Sequence, residues 1–307
     1  MVVMASAYHG HTSSLIDLSP YKHGGPGGGG APDWVHVSPL PDTYRGEFRG
    51  GDPGHGARYA ARVAEVIAEA SARGREIAGF IAETLPSVGG QLLLPEGFLP
   101  GVYAAVRAAG GLCIADEVQT GFGRTGETFW AFERYGVTPD IVVLGKPIAN
   151  GYPMGAVVTT PAIAASFANG MEFFSTFGGS TAACAAALAT LEVVEEEGLQ
   201  ANAAAVGETL LAGLRALAER CELIGDVRGC GLFVGVELVC DRATREPAGS
   251  AAGEIAERMR RRGVLIGTDG PHHNVLKIRP PLCFTAADAA LLLAALDSAL
   301  AEVAADL

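Results

Sequence analysis

The chain has 307 residues, 49% of them hydrophobic and 18% charged, with a formal net charge of −12. That is enough for a large core and more than one domain, and the acidic balance argues against nucleic acid or an anionic membrane as a main partner. No uninterrupted apolar span reaches membrane-helix length, and Met1-Val2-Val3-Met4 carries no charged leader, so neither an anchor nor a signal peptide is expected.

Alternating apolar runs and Ala-rich stretches over residues 1–200 predict an α/β architecture. Val2–Met4 reads as a first strand and residues 35–37 as a second. The Gly-rich stretch 24–30 between them reads as a flexible loop; a phosphate cradle is the sharper alternative, but no helix start follows it. A helix is predicted over 60–73, with Val63, Val66, Ile67 and Ala70 on one face. A strand at 77–83, a helix at 102–109 and a strand at 112–115 come next. Ile141–Leu144 and Ala156–Thr159 read as strands, and 182–196 as a helix. Residues 201–307 are expected to form a smaller C-terminal α+β domain. Its predicted helices are 206–219, 254–262 and 286–304, and its predicted strands are 231–239, 264–266 and Val275–Ile278.

The six cysteines (113, 184, 221, 230, 240 and 283) show no C-x-x-C spacing and lie mostly in apolar runs. They read as buried free thiols of a reducing, cytoplasmic compartment. The seven histidines form no metal-ligand pattern, and no metal is expected.

The densest signal lies between Gly111 and Met154. The strand at 112–115 ends in Asp116 and Glu117, followed by the loop QTGFGRTG with Gln119 and Arg124; the strand Ile141–Leu144 ends in Gly145, Lys146 and Pro147. Two strands thus deliver one ionisable residue each to their carboxyl ends, where open α/β sheets bind ligands. Taken singly, the acidic pair could hold a metal or cap a helix, and the lysine could simply be solvated. Together, an Asp facing a Lys suits pyridoxal phosphate, with the Lys carrying the cofactor as a Schiff base and the Asp facing its pyridinium nitrogen.

This combination resembles the class III (omega) aminotransferases, of fold type I, whose D-E-x-Q-x-G-x-G-R-x-G run precedes the Schiff-base lysine. The resemblance implies a mixed, mostly parallel sheet flanked by helices. It implies catalytic roles for Lys146 and Asp116, and cofactor contacts for Gln119 near the phenolic oxygen and Tyr8 stacked on the ring. His9 belongs to the same cofactor-side turn, and Glu83 supports it. Thr176, in the segment FFSTFGGS, would bind the phosphate of the neighbouring subunit's cofactor, which implies a homodimer with shared sites. The family's N-terminal arm and its Ser/Gly/Glu/Asn-rich phosphate segment have no counterpart before Tyr8, so the chain is expected to be a fragment, a mis-started reading frame or the tail of a larger protein.

Two departures narrow the branch. Val88 stands where many members carry a gating Glu, and Lys277, in LKIRPP, stands where they carry a carboxylate-binding Arg. A bidentate fork has become a point charge that still suits phosphate. With segments such as PLPDTYRG, GDVRG and TDGP, the chain is similar to phospho-lyases acting on phosphoethanolamine or phosphohydroxylysine. A small phosphorylated amine or amino acid is therefore the expected substrate, with Lys277 binding it. A class III transaminase of the omega-amine or alanine–glyoxylate type and an inactive fragment are the alternatives. A nicotinamide-binding Rossmann protein is disfavoured because no G-x-G-x-x-G follows an early strand.

Overall fold

The structure, a computed structural model, describes residues 1–306. Its first part contains strands β1 (Val2–Met4), β2 (His36–Ser38), β3 (Gly79–Glu83), β4 (Leu112–Asp116), β5 (Ile141–Leu144) and β6 (Ala156–Thr159). They form one sheet in the order β2-β1-β3-β4-β5-β6, parallel throughout except for β6, which runs antiparallel to β5. Two short helices, α1 (Ser13–Asp17) and α2 (Pro20–His23), follow β1, and α3 (His55–Ala72) and α4 (Phe98–Ala108) flank β3 in sequence. α5 (Pro161–Phe167) and α6 (Thr181–Glu196) follow β6.

α3 buries Tyr59, Ala60, Val63, Ile67 and Ala70, a three-to-four-residue spacing that places one face on the core. It packs with α4 over Phe80, Phe98, Val102 and Val106. Gly56 permits the close approach: a Cβ there would lie 1.7 Å from the Glu96 carbonyl oxygen.

The second part runs α7 (Leu199–Arg220), β7 (Ile224–Cys230), β8 (Phe233–Asp241), β9 (Glu246–Pro247), α8 (Gly249–Arg261), β10 (Gly267–Asp269), β11 (Val275–Ile278) and α9 (Ala286–Asp306). An antiparallel sheet, β10-β11-β8-β7 with β9 on β8, packs with α7, α8 and α9 around a separate core of Leu210, Leu214, Val236, Ile255, Met259, Leu296 and Leu300. A buried ion network joins this sheet to the first part. Glu237 on β8 pairs with Arg228 at 2.6 Å and with Arg45 from the loop after β2. Arg228 also donates to the Gly90 carbonyl at 2.9 Å.

The structure departs from the sequence reading in several places. β7 was not expected; Gly225 and Gly229 interrupt its pattern and only its two ends are buried. The strand expected at 264–266 lies at 267–269 instead, because pairing with β11 fixes the ladder there while Leu265 is 86% exposed. α1, α2 and α5 are additional. Cys113 and Cys230 are buried, but Cys184, Cys240 and Cys283 are exposed and Cys221 is half-buried, so the expectation of buried thiols holds for only part of the set. Among the described residues, no helix is long and apolar enough to cross a membrane, and no group of three or more His, Cys, Asp or Glu residues is placed to hold a metal.

Candidate active site

Strand register assembles the site. Glu83 pairs in register with Asp116, and Asp116 with Val143. Because these strands are parallel, Glu83, Asp116 and the start of the Lys146 loop lie together at the sheet's carboxyl edge. β1 points the same way and leads into Tyr8 and His9. The small helices α1 and α2 fix that turn: Ser19 Oγ accepts from His9 N at 2.9 Å and donates to the Leu15 carbonyl at 2.6 Å.

A cavity of about 280 Å³ is lined by Tyr8, His9, Gly10, Glu83, Leu85, Asp116, Val118, Gln119, Thr120 and Lys146. His9 Nδ1 lies 2.8 Å from Asp116 Oδ2. An ionised carboxylate only accepts, so Nδ1 carries the hydrogen. Asp116 Oδ1 accepts from Val118 N at 3.1 Å, so both oxygens are held. His9 Nε2 is buried without a partner among the described residues. Tyr8 is half-buried, with its ring edge-on to Tyr21 at 5.9 Å.

Glu83 accepts from Tyr8 N at 3.2 Å and Ser87 N at 3.1 Å. Burial, reinforced by the nearby Asp116 charge, pushes its carboxyl up to about 7. Glu117 takes a different part. Its buried carboxylate accepts from the Thr84 and Thr120 hydroxyls at 2.7 and 2.8 Å, and from the Ala131 and Phe132 amides at 3.1 and 3.0 Å. It anchors the short 3-10 turn at Ala131–Tyr135, and the acidic pair is not a joint metal site.

Burial lowers the Lys146 ammonium below the usual lysine range, with Arg279 adding to the effect; Asp116 and Glu83 oppose it. Lys146 also lines a larger cavity of about 700 Å³, together with Gln119, Arg124 and Arg279. Sequence reasoning missed Arg279 as a site residue. Its signal was the two-residue spacing from Lys277, which puts both on one face of an extended strand. Among the described residues Arg279 makes no ion pair. Arg124 reaches into the second part, donating to the Leu232 and Pro280 carbonyls at 3.1 and 2.8 Å, and burial lowers it to about 10.

Two expected site residues stand apart from the smaller cavity. Lys277 lines a third cavity of about 550 Å³ that it shares with Arg279, and its ammonium is 2.6 Å from Asp269 Oδ2. Thr176 lies on an exposed segment, residues 171–179, beside Phe173, Phe174 and Phe177.

A family profile described as "Aminotransferase class-III" matches residues 1–300. The chain is 50% identical over 289 residues to an "Alanine--glyoxylate aminotransferase 2-like" protein of Drosophila melanogaster, covering 92% of this chain and 58% of that protein. It therefore spans somewhat under two thirds of that relative's length. Among solved structures it resembles a phospholyase from Arthrobacter in complex with phosphoethanolamine, at TM-score 0.89 and 40% identity over 98% of this chain and 70% of that one. It also resembles an amine transaminase from an uncultivated Pseudomonas species in its PLP-bound form, at TM-score 0.87 and 35% identity over 98% and 69%.

Proposed function

Because this chain belongs to the class III aminotransferase family, we propose that it carries the cofactor site of a phospho-lyase that converts O-phosphoethanolamine and water to acetaldehyde, ammonia and phosphate. The fold is that of the type I pyridoxal-phosphate transferases, and the cofactor is pyridoxal 5′-phosphate. The residues present fit that group: a cavity with a lysine on one wall, an oriented carboxylate on another, and a buried imidazole nitrogen left without a partner.

Lys146 would attach the cofactor and Asp116 would face its ring nitrogen. Tyr8 would cover a ring face, Gln119 would meet the phenolic oxygen, and His9 and Glu83 would hold the surroundings. The bound cofactor supplies an electron sink for charge released beside the substrate amine. His9 and the Val118 amide hold Asp116 in one orientation. Lys146, whose basicity is lowered, would serve as the base that takes the proton from the substrate carbon bearing the amine. The phosphate on the next carbon would leave with the electron pair of its C–O bond, toward Arg279 and Lys277.

The observation that carries this reading is the pair of cations beside Lys146: Arg279 shares its larger cavity, and Lys277 shares Arg279's second one. A dianionic leaving group matches two cations better than an apolar amine does. A transaminase is the second reading, supported by the likeness to the amine transaminase. A third reading, a piece that needs more chain or a partner before it acts, is supported by the 58% coverage of the Drosophila relative. A homodimer belongs to the first reading, with Thr176 and its exposed phenylalanines meeting a second copy. So does a cytoplasmic setting, since all six cysteines are free thiols.

Titration with pyridoxal phosphate, followed by visible absorbance, should give a band that Lys146→Ala lacks. With the cofactor bound, O-phosphoethanolamine should release phosphate without any keto acid. Turnover that requires a keto acid and frees no phosphate would replace this reading with the transaminase. A band that survives in Lys146→Ala would remove the lysine assignment.

A further inference from the structure

Asp269, at the end of β10, gathers the polar contacts between the two halves of the site. Its Oδ2 lies 2.6 Å from Lys277 Nζ, accepts from Gln91 Nε2 at 2.8 Å, and is 3.5 Å from Ser87 Oγ. Ser87 Oγ donates in turn to Gln119 Oε1 at 3.2 Å. The next residue, Gly270, donates its amide to the Val88 carbonyl at 3.0 Å, which pins the strand end against the turn after β3. Gln91 is fully buried. Asp269 is therefore the better-anchored member of the ion pair, and Lys277, on its flexible four-carbon stem, has the greater conformational freedom.

The pairing leaves an uneven charge distribution. Lys277 and Arg279 lie two residues apart on β11 and its extension, and share a cavity. Only Lys277 has a carboxylate partner among the described residues. An ammonium has three N–H donors, and Asp269 takes one, so two remain for an incoming anion. Any anion held by Lys277 then sits within a few ångströms of the Asp269 charge, because both touch one nitrogen. At an effective dielectric near 20, repulsion at that range exceeds the benefit of holding one lysine rotamer in place.

Building on the phospho-lyase reading, we infer that Asp269 is the internal counter-anion of the phosphate subsite: it occupies Lys277 when no substrate anion is present and weakens the hold on the phosphate product. The leaving phosphate and the free product are the same chemical group. A subsite of two unopposed cations would stabilise departure but retain the product. A carboxylate anchored across the junction of the two sheets competes for one cation and lets the product go.

The test is calorimetric titration of inorganic phosphate into the full chain, using the parent, Asp269→Asn, Lys277→Met and the double variant, with circular dichroism to check folding. Asn keeps the shape and can still accept from Gln91; Asp269→Ser is the reserve if Asn disturbs folding. The expected result is phosphate binding about tenfold tighter or more in Asp269→Asn, with the gain lost in the double variant. Binding that depends on Lys277 but is unchanged or weaker in Asp269→Asn would overturn the counter-anion role and leave Asp269 a positioning residue. Phosphate binding that no substitution alters, Lys277→Met included, would overturn the phosphate subsite and this inference with it.

Discussion

The centre of the first sheet and its β6 end are built differently. At the β3–β4 centre, all five residues of β3 are buried, with α3 and α4 packed over Phe80 and Ala82. At the β5–β6 end, β6 has no fully buried residue, and Val157 and Val158 are 65% and 55% exposed. Neighbouring strand residues point to opposite faces, so both faces of β6 meet solvent, whereas strands of this architecture are covered on both faces. α6, with Leu188 57% exposed, continues the open region. The site lies on this boundary: Glu83 and Asp116 stand on the closed side, and Lys146 stands on the loop between β5 and β6, on the open side. The lesson is that the acidic half of the candidate site is held by core packing, while the lysine half adjoins a region whose apolar surface is exposed.

If the comparison is sound, truncations at the two places should have very unequal effects. Leu99→Ala, in the buried core over β3, should cost about 2–5 kcal/mol in denaturant unfolding. Val158→Ala should stay within about 0.5 kcal/mol. A large loss at Val158 would mean that the β6 end is covered in solution.

The closed centre should also show itself through pH. The Glu83 carboxyl titrates near pH 7 in the folded chain, against 4.5 ordinarily. The folded state therefore holds an extra proton between those values. The resulting stability is fully present below about pH 4.5 and is lost as pH rises through about 7. Glu83→Gln removes that dependence, so the stability of the variant relative to the parent should rise by on the order of 3 kcal/mol between pH 4 and 8. Parallel pH profiles for the two proteins would show that Glu83 is ionised throughout this range.

The smallest effect on folding should come at the open end. Phe177 is 86% exposed, so Phe177→Ser should barely change unfolding. It should nevertheless weaken self-association in sedimentation velocity if a second copy covers this segment. Unchanged association would place the covering polypeptide elsewhere.

Much of the closed centre was legible in the sequence. Continuous apolar runs announced β3, β4 and β5, and the ionisable residue at the end of each run or within two residues after it is the one the sheet brings to the cavity. The second half was less legible. β7 hides behind glycines, and β10 lies three residues beyond the apolar run that suggested it, because a strand's position is set by its partner's hydrogen bonds. Arg279 was overlooked beside the more conspicuous Lys277. Exposed Cys184, Cys240 and Cys283 show that an apolar neighbourhood in sequence is not burial.

The sequence by itself determined the alternation of strands and helices, the order in which Tyr8, Glu83, Asp116 and Lys146 appear, and the family to which the chain belongs. Periodicity and spacing are local properties, and they survive without a fold. Only the tertiary structure decided that Glu117 turns away to anchor a 3-10 turn, that His9 orients Asp116, and that Asp269 claims Lys277. Each of those contacts joins separate elements of the chain, and which polar group is left unpaired or opposed by a like charge depends on how the elements pack.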